Sequence, residues 1–376
     1  MRFIHRSHAT LAQLAEDDVR ADASGLAFDG RHAGGSVTGH SVESSLPSAR
    51  QWDYKIDTMK TLLLPLLLAV AGFTLKDQSG QYLDVIRDGK IVARYMYAYD
   101  PSSKDSLHAT YKPYLHVFDP EGVAPITKGP GGEYTHHRGI FIGYNKLTVG
   151  GKVFDRWHMK GGEQVHTKFL ALDDGNGFTS LVEWRAAEPK ILLEEERAFR
   201  FLPPTSPAYA VIEMTSKLKA VAGPTVLGGD PEHAGLQFRP AQEIDRAATE
   251  YVYPKENADP HKDKDYPWVG ETFMLQGRRY SVIYLNHPSN PRNTATSAYR
   301  DYGRFGMFFK DTIPAGEERV LRVRFLLVAG AMPSADVIQK AYNEFAGTSD
   351  PVPKITVKKA EGTKAPARSS AQPKTK

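Results

Sequence analysis

The sequence predicts an all-β fold, an antiparallel β-sandwich with a short C-terminal helix. Strand-favouring aromatic residues are abundant, with 18 Tyr and 17 Phe in 376 residues. Short segments of alternating apolar and polar residues recur between turn signals rich in Gly, Asp and Asn. A single convincing amphipathic helical pattern is present, and it lies near the end of the chain.

Eight segments are predicted as strands, and two pairs of them form hairpins. The first pair flanks Arg87–Gly89 and the second flanks Asp173–Gly177, both of which have typical hairpin-loop compositions. In chain order the strands are Tyr82–Ile86, Lys90–Tyr99, Thr167–Leu172, Phe178–Arg185, Ile191–Phe201, Tyr209–Ala220, Tyr280–Leu285 and Arg319–Val328.

The predicted helix begins after Ser334, a suitable N-cap residue, and ends at Gly347. Its apolar residues recur at helical spacing, so we expect one face to pack against a sheet. These residues are Val337, Ile338, Ala341, Tyr342 and Phe345.

The chain is predicted to hold one β-sandwich domain over residues 72–350, preceded by a targeting segment. Residues 59–71 combine Lys60, an apolar run and Ala69-Val70-Ala71, the pattern of a signal peptide cleaved after Ala71. We therefore expect Met59 to be the true start, residues 1–58 to be a gene-start artefact or a disordered leader, and the mature protein to be periplasmic or extracellular. The alternative is that the apolar run is a buried strand; it is too short to span a bilayer.

The composition limits the chemistry and the partners. Cysteine is absent, which excludes disulfides, thiolate metal sites and a cysteine nucleophile. From Lys354 onward, the chain has seven basic side chains and one acid, Glu361, which give this part a charge of +6. Because the net charge of the whole chain is +4, the rest of the chain carries −2. We interpret residues 351–376 as a disordered, solubilising basic tail and expect no nucleic-acid partner.

Histidine, arginine and acidic residues recur beside turn residues, where functional side chains concentrate. The segments are Glu133–Gly139, His166, Gly228–Gly235, Asn286–Arg292 and Arg300–Tyr302. If His136 and His137 lie in an extended segment, only one of them can face a given cavity. No HxH or HExxH spacing is present, so no cofactor is predicted with certainty and a divalent metal remains open.

Several of these segments together resemble secreted bacterial proteins known as the PmoA family, a domain of unknown function. The resemblance extends from about Lys112 to Gly330, although Tyr134 stands where the family pattern usually has a histidine. It implies a β-sandwich akin to the galactose-mutarotase supersandwich and an association with glycan-degrading bacteria. The matching motifs are Lys112–His116, Thr135–Gly139, His233–Leu236, His287–Arg292 and Arg300–Gly303.

The leading functional hypothesis is a secreted carbohydrate-active enzyme that uses histidine acid/base chemistry, a lyase, dehydratase or hydrolase on a modified sugar. His136 or His137 would be the base, and His166 or His233 the acid or a metal ligand. Substrate-binding roles are assigned to Arg138, Asn286, His287, Arg292, Arg300, Asp301 and Tyr302. The alternatives are a non-catalytic glycan-binding module and a mutarotase-like epimerase with Glu232 or Glu271 as its carboxylate. We expect His166, His233, His287 and one of His136 and His137 to converge on one concavity.

Overall fold

The computed structural model describes residues 72–173, 176–187 and 190–363. The predicted leader (1–58) and signal peptide (59–71) lie outside these residues, so both stay predictions, as does export. The strands are β1 (Phe73–Gln78), β2 (Tyr82–Arg87), β3 (Lys90–Met96), β4 (Tyr114–Val117), β5 (Ile140–Tyr144), β6 (Lys146–Val149), β7 (Lys152–Phe154), β8 (Gln164–Asp173), β9 (Gly177–Arg185), β10 (Ile191–Leu202), β11 (Ala210–Lys219), β12 (Thr225–Gly228), β13 (Ala234–Phe238), β14 (Asp245–Tyr253), β15 (Trp268–Leu275), β16 (Arg278–Asn286), β17 (Ala295–Ser297), β18 (Phe305–Phe308), β19 (Asp311–Ile313), β20 (Glu318–Val328) and β21 (Thr356–Lys359). The helices are α1 (Lys104–Thr110) and α2 (Ala335–Ala346).

The strands form two large antiparallel sheets and one small one, which confirms the predicted fold class. The first large sheet has the order β1-β2-β3-β4-β5-β13-β18-β17, and the second has the order β21-β14-β15-β16-β20-β11-β10-β9-β8. The small sheet has the order β19-β12-β6-β7.

The main core is formed by residues from both large sheets. On β16, Val282 and Tyr284 belong to this core, whereas their neighbours Ile283 and Leu285 belong to a second cluster on the other face. This alternation follows from the two-residue period of a strand. The second sheet is therefore apolar on both faces, and its outer face needs a cover.

Helix α2 covers that outer face, as the sequence predicts. Ile338 and Tyr342 are buried in the second cluster, and Trp268 donates a hydrogen bond from Nε1 to Gln339 Oε1 at 3.0 Å. Ser334 occupies the N-cap position, without a side-chain cap hydrogen bond, and Gly347 ends the helix with a φ of 68°. No helix in the described ranges is long and apolar enough to cross a membrane.

All eight predicted strands are present, with ends shifted by a few residues at most. The predicted disordered tail is wrong for residues 351–363. Strand β21 pairs with β14, and beyond it Glu361 N donates to Tyr299 O at 2.7 Å. The lysine-rich composition predicts disorder, but a short run of β-branched residues around Thr356 and Val357 favours a strand. Lys358 and Lys359 suit its position at the sheet edge, because charged side chains there disfavour pairing with another chain. Residues 364–376 lie outside the described part.

Candidate active site

The two adjacent histidines of the Thr135–Gly139 motif lie in a turn that precedes β5. Tyr134 has a φ of 50°, and His137 N donates to Tyr134 O at 2.9 Å. A Cβ at Gly139 would lie 2.0 Å from Leu115 O, so the close approach of β4 requires glycine there. Because the segment turns, strand alternation does not apply, and His136 and His137 line the same cavity.

That cavity has a volume of ≈ 450 Å³ and is formed by four separate parts of the chain. The 134–137 turn, the β12–β13 loop, the β17–β18 loop and residues 362–363 each supply one part of its wall. Its lining residues are Tyr134, His136, His137, Glu232, His233, Arg300, Tyr302, Gly362 and Thr363.

Four imidazole rings form a continuous cluster at this cavity. The centroid of His136 lies 4.4 Å from that of His137 and 4.4 Å from that of His158. The rings of His158 and His233 are 5.4 Å apart. The indole of Trp157, fully buried, packs 5.9 Å from His137 and supports the cluster from behind. We call His136, His137, His158 and His233 the histidine cluster.

Two members of the histidine cluster are held by aspartates three residues earlier in the chain. His158 Nδ1 lies 2.8 Å from Asp155 Oδ2, and His233 Nδ1 lies 2.9 Å from Asp230 Oδ1. A carboxylate bound at Nδ1 fixes the ring and leaves Nε2 as the reactive nitrogen. Burial alone would raise the pKa of Asp155, but its hydrogen bonds to His158 and to two backbone N–H groups lower this pKa to about 2.

The other two members are kept neutral by their surroundings. Burial, with the nearby charge of Lys112, lowers the pKa of His136 to about 2. Burial, followed by His136 and Arg304, lowers the pKa of His137 well below its ordinary value. His136 Nε2 and His137 Nδ1 are buried and have no hydrogen-bond partner among the described residues. Such atoms in a cavity wall are suited to hydrogen-bond a ligand.

The remaining walls are an aromatic face and an ion pair. Tyr134 and Tyr302 have ring centroids 4.5 Å apart, and Tyr302 stacks against His137 at 5.9 Å. Arg300 Nε donates to Glu232 Oε1 at 3.1 Å, and a second guanidinium nitrogen also reaches that oxygen. The ion pair outweighs the burial that would raise the pKa of Glu232, so this pKa is lowered.

The structure separates some of the predicted site residues from this cavity. His166 packs on β8 beside Tyr97, with a centroid distance of 4.5 Å, and its Nδ1 lies 2.6 Å from Ser180 Oγ. His287 packs against Phe345 of α2 at 5.1 Å. The expectation that His166 and His287 converge with the other histidines is therefore wrong, because their strands place them in different side-chain environments.

Two further substrate-binding assignments fall outside the cavity lining. Asn286 accepts a hydrogen bond at Oδ1 from Asn290 Nδ2 at 2.8 Å, and Asn290 Oδ1 accepts one from Arg322 N of β20 at 2.8 Å. Arg292 is exposed in the loop after β16. These contacts make the Asn286–Arg292 motif a structured loop beside α2.

Arg138 and Asp301 lie next to the cavity without lining it. Arg138 is buried and donates from Nη1 to His137 O at 3.0 Å, so it supports the turn from behind. Asp301 accepts a hydrogen bond from Thr363 N at 3.0 Å and from the Thr363 hydroxyl. Asp301 thus holds Thr363 in the cavity wall. Its neighbours Arg300 and Tyr302 line the cavity, which is where a substrate-binding role would require them to be.

Sequence reasoning missed His158 and its partner Asp155. A usable signal was present, because Asp155–His158 and Asp230–His233 share the same Asp-x-x-His spacing beside a turn. Among residues 72–173, 176–187 and 190–363, no group of three or more His, Asp or Glu has an arrangement that could hold a metal ion.

Sequence comparison identifies the family. A family model described as "Family of unknown function (DUF6807)" matches residues 82–343. The chain belongs to this family. The matched range includes the whole histidine cluster. The motifs suggested the name PmoA family, and the matching family model has a different name. No curated protein matches the chain.

Solved structures similar to this DUF6807 protein are distant. A heparan sulfate lyase HepC mutant from Pedobacter heparinus is 10% identical with a TM-score of 0.37, over 69% of this chain and 37% of that chain. A putative aldose 1-epimerase from Klebsiella pneumoniae is 9% identical with a TM-score of 0.35, over 77% and 85%. A galactose mutarotase related enzyme from Lactobacillus acidophilus is 8% identical with a TM-score of 0.32, over 70% and 99%. The chain spans little more than a third of the lyase, and likeness at this level carries no argument about activity.

Proposed function

We propose that this protein is an enzyme that transfers protons on a small sugar derivative bound in the cavity. His158 and His233 are its acid and base. The reaction class is elimination or epimerisation, as in a lyase, dehydratase or epimerase. Export of the mature protein, expected from the sequence, remains part of the proposal.

The observation that carries this proposal is the pair of aspartate-bound imidazoles. Asp155 and Asp230 bind their histidines at Nδ1, and the two rings lie 5.4 Å apart. Each aspartate orients its ring and leaves Nε2 to take up or give a proton. His233 lines the cavity and the ring of His158 lies beside that of His233, so one ring can accept a proton while the other donates one.

The pKa values argue for different roles for the other two histidines. A ring with a pKa of about 2, as at His136, is a weak base and stays neutral near pH 7. Burial also holds the pKa of His137 well below its ordinary value, so this ring is neutral near pH 7 as well. We therefore assign hydrogen bonding to the substrate, and not proton abstraction, to these two rings.

In the proposed step a C–H bond beside a carbonyl or carboxylate group breaks. Its proton moves to Nε2 of one aspartate-bound histidine, and the electron pair passes into the neighbouring C=O group. In epimerisation the electron pair returns to the same carbon, which the second histidine protonates. In elimination the pair forms a C=C bond to the next carbon, whose C–O bond breaks, and the second histidine protonates the leaving oxygen. Both outcomes balance without an oxidant or a metal.

A glycan-binding module is the second candidate, because the rings of Tyr134 and Tyr302 form an aromatic wall of the kind that packs against sugar rings. A module would bind a sugar and leave its C–H bonds intact. Proton exchange at carbon therefore distinguishes the enzyme from the glycan-binding module.

The test is hydrogen exchange in heavy water. The full chain is incubated with uronic acids, keto sugars and aldoses, and incorporation of deuterium at carbon is followed by NMR. We expect exchange or product with at least one class, reduced about 10²–10⁴-fold by His233→Gln or His158→Gln. His287→Gln, a histidine outside the cavity, is the matched control and should retain activity. Binding without exchange in the wild type would support the module instead.

A further inference from the structure

Three fully buried arginines lie directly behind the histidine turn and Tyr302. Arg138, Arg239 and Arg304 each have a relative exposure of 0%. Arg138 supports the turn through its bond to His137 O, and the guanidinium carbons of Arg239 and Arg304 lie 5.2 and 5.8 Å from the centre of the Tyr302 ring. All three therefore contact residues that line the cavity, from the protein side.

The charge of these arginines is poorly compensated. No ion pair joins any of them to a carboxylate within 4.0 Å in the described ranges. Glu271, also 0% exposed, is the acid whose charge acts on Arg239 and Arg304, and burial raises its pKa. Burial lowers the pKa of Arg239 to about 10, which still leaves it cationic near pH 7. The group is thus net positive whether Glu271 is ionised or not.

Several N–H groups in this region also have no acceptor. They include Nε of all three arginines and Nη2 of Arg239, and His137 Nδ1 in the cavity wall is unpartnered as well. Buried donors without acceptors are rare in folded proteins, and those of charged groups cost most. A surplus of positive charge behind the wall, together with unpartnered ring nitrogens of His136 and His137 in the wall, favours an anion in the cavity.

The acidic side chains of the cavity do not cancel this field. Glu232 is occupied by Arg300 and by the hydroxyl of Tyr299 at 3.1 Å. Asp230 is occupied by His233 and by Asn145 Nδ2 at 3.0 Å. Both acids therefore already have cationic or donor partners on their own side of the cavity.

We infer that the substrate is an anionic sugar whose negative group lies against the His136–His137 turn. This rests on the proposed function and names its substrate class. His136 and His137, as neutral rings, can donate hydrogen bonds to that group, and the three arginines behind them stabilise its charge through a wall of low polarity. If the group is a carboxylate next to the C–H bond that breaks, the same arginines stabilise the charge that develops on its oxygens.

Calorimetric titration of the full chain tests this inference. The probes are D-glucuronate, D-glucose 6-sulfate and D-glucose, which share a ring and differ in charge. The His233→Gln variant is used, so that binding is measured without turnover. We expect at least one anionic sugar to bind about tenfold or more tightly than glucose, with affinity that falls as salt is raised from low to high concentration. The stronger of the two anionic probes identifies carboxylate or sulfate.

Substitutions locate the effect. Arg304→Met should reduce the preference for the anionic sugar about tenfold, Arg304→Lys should keep most of it, and Arg292→Met, at an exposed arginine outside the cavity, should leave it unchanged. Equal binding of glucose and both anions, or no binding of either anion, overturns the inference. If proton exchange occurs on neutral sugars alone, the inference is overturned and the proposed function stands. If an anionic sugar binds and no sugar undergoes exchange, the inference stands and the proposed function is overturned.

Discussion

Two buried clusters of charged side chains differ in how completely their polar atoms are paired. Inside the sandwich, Glu195 and Arg197 form a salt bridge with an N–O distance of 2.6 Å. The other contacts of Glu195 come from the Trp184 indole at 2.8 Å and the Ser216 hydroxyl at 2.7 Å, and Arg197 also donates to Gln164 Oε1 at 3.1 Å. Neither charged side chain leaves a buried atom without a partner.

The cluster behind the cavity is different. Arg138, Arg239, Arg304, Glu271 and His137 all keep at least one buried polar atom without a partner among the described residues. The Glu195–Arg197 network is complete within the protein, whereas the cavity cluster keeps unpartnered polar atoms, of which those of His137 belong to the cavity wall. Incomplete pairing is therefore a better guide to the site than burial or charge.

The largest expected effect is on the fully paired cluster. Glu195→Ala would leave the Arg197 guanidinium buried without its carboxylate, which should lower the free energy of unfolding by about 3–5 kcal/mol. Denaturant titration measures this loss. The control is Glu318→Ala, which removes the acid of a solvent-accessible ion pair with Lys217 and should cost less than about 1 kcal/mol. A loss for Glu195→Ala no larger than the control would contradict the contrast between the clusters.

The second prediction concerns acid. Burial lowers the pKa of His116 and of His166 to about 4 and that of His136 to about 2, from 6.5. Below pH 6.5 the unfolded chain binds protons at these rings and the folded chain does not, so stability should fall as pH falls from about 6.5 toward 4. Urea unfolding at several pH values measures the slope.

His136→Phe should make that slope shallower, because it removes one ring that must stay neutral in the folded state. His116→Phe serves as the comparison outside the histidine cluster. An unchanged slope in His136→Phe would mean that the ring already takes up its proton in the folded protein, and the cavity would then lack the field that the arginines are inferred to supply.

The third prediction separates function from stability within the cavity cluster. His137→Phe keeps the ring packing against Trp157 and removes two nitrogens, one of which is buried and unpartnered. The free energy of unfolding should change by less than about 1 kcal/mol, while proton exchange on the substrate falls substantially. Thermal melts are run beside the exchange assay. A variant that melts early yet keeps full exchange activity would assign His137 to the core.

The smallest expected effect is at the C-terminal part of the wall. Thr363→Val removes the hydroxyl that donates a hydrogen bond to Asp301 and keeps the hydrogen bond from the backbone N–H of residue 363. We expect a stability change of about 0.5–1.5 kcal/mol or less and a weaker apparent affinity for the ligand with little change in the chemical step. If turnover at saturating ligand falls while affinity is unchanged, Thr363 acts in the reaction and not in shaping the cavity.

The sequence was sufficient where local pattern decides structure. The alternating residues of β16 and β20 and the apolar stripe of α2 lead directly to the observed sandwich and its cover. Strand β21 escaped prediction because composition dominated a run of only four residues. The short strands of the small sheet, such as β7, carry too little pattern to be recognised.

The site was predictable only in part. Turn residues and local motifs correctly singled out His136, His137 and His233, which line one cavity. They could not exclude His166 or His287, because only the pairing of distant strands decides which loops share an end of the sandwich. The arginines behind the cavity could not be ranked either, since an unpaired buried donor is visible only once all its neighbours are known.

The position of Gly362 and Thr363 in the cavity wall has a consequence for how the protein is made. Synthesis runs from the N-terminus, so the turn with His136 leaves the ribosome long before residue 363 does. The β12–β13 and β17–β18 loops follow in between, so the walls of the cavity become available one after another. The last wall is available only after all strands of both large sheets have been synthesised, and a growing chain passes most of its synthesis without a closed binding site.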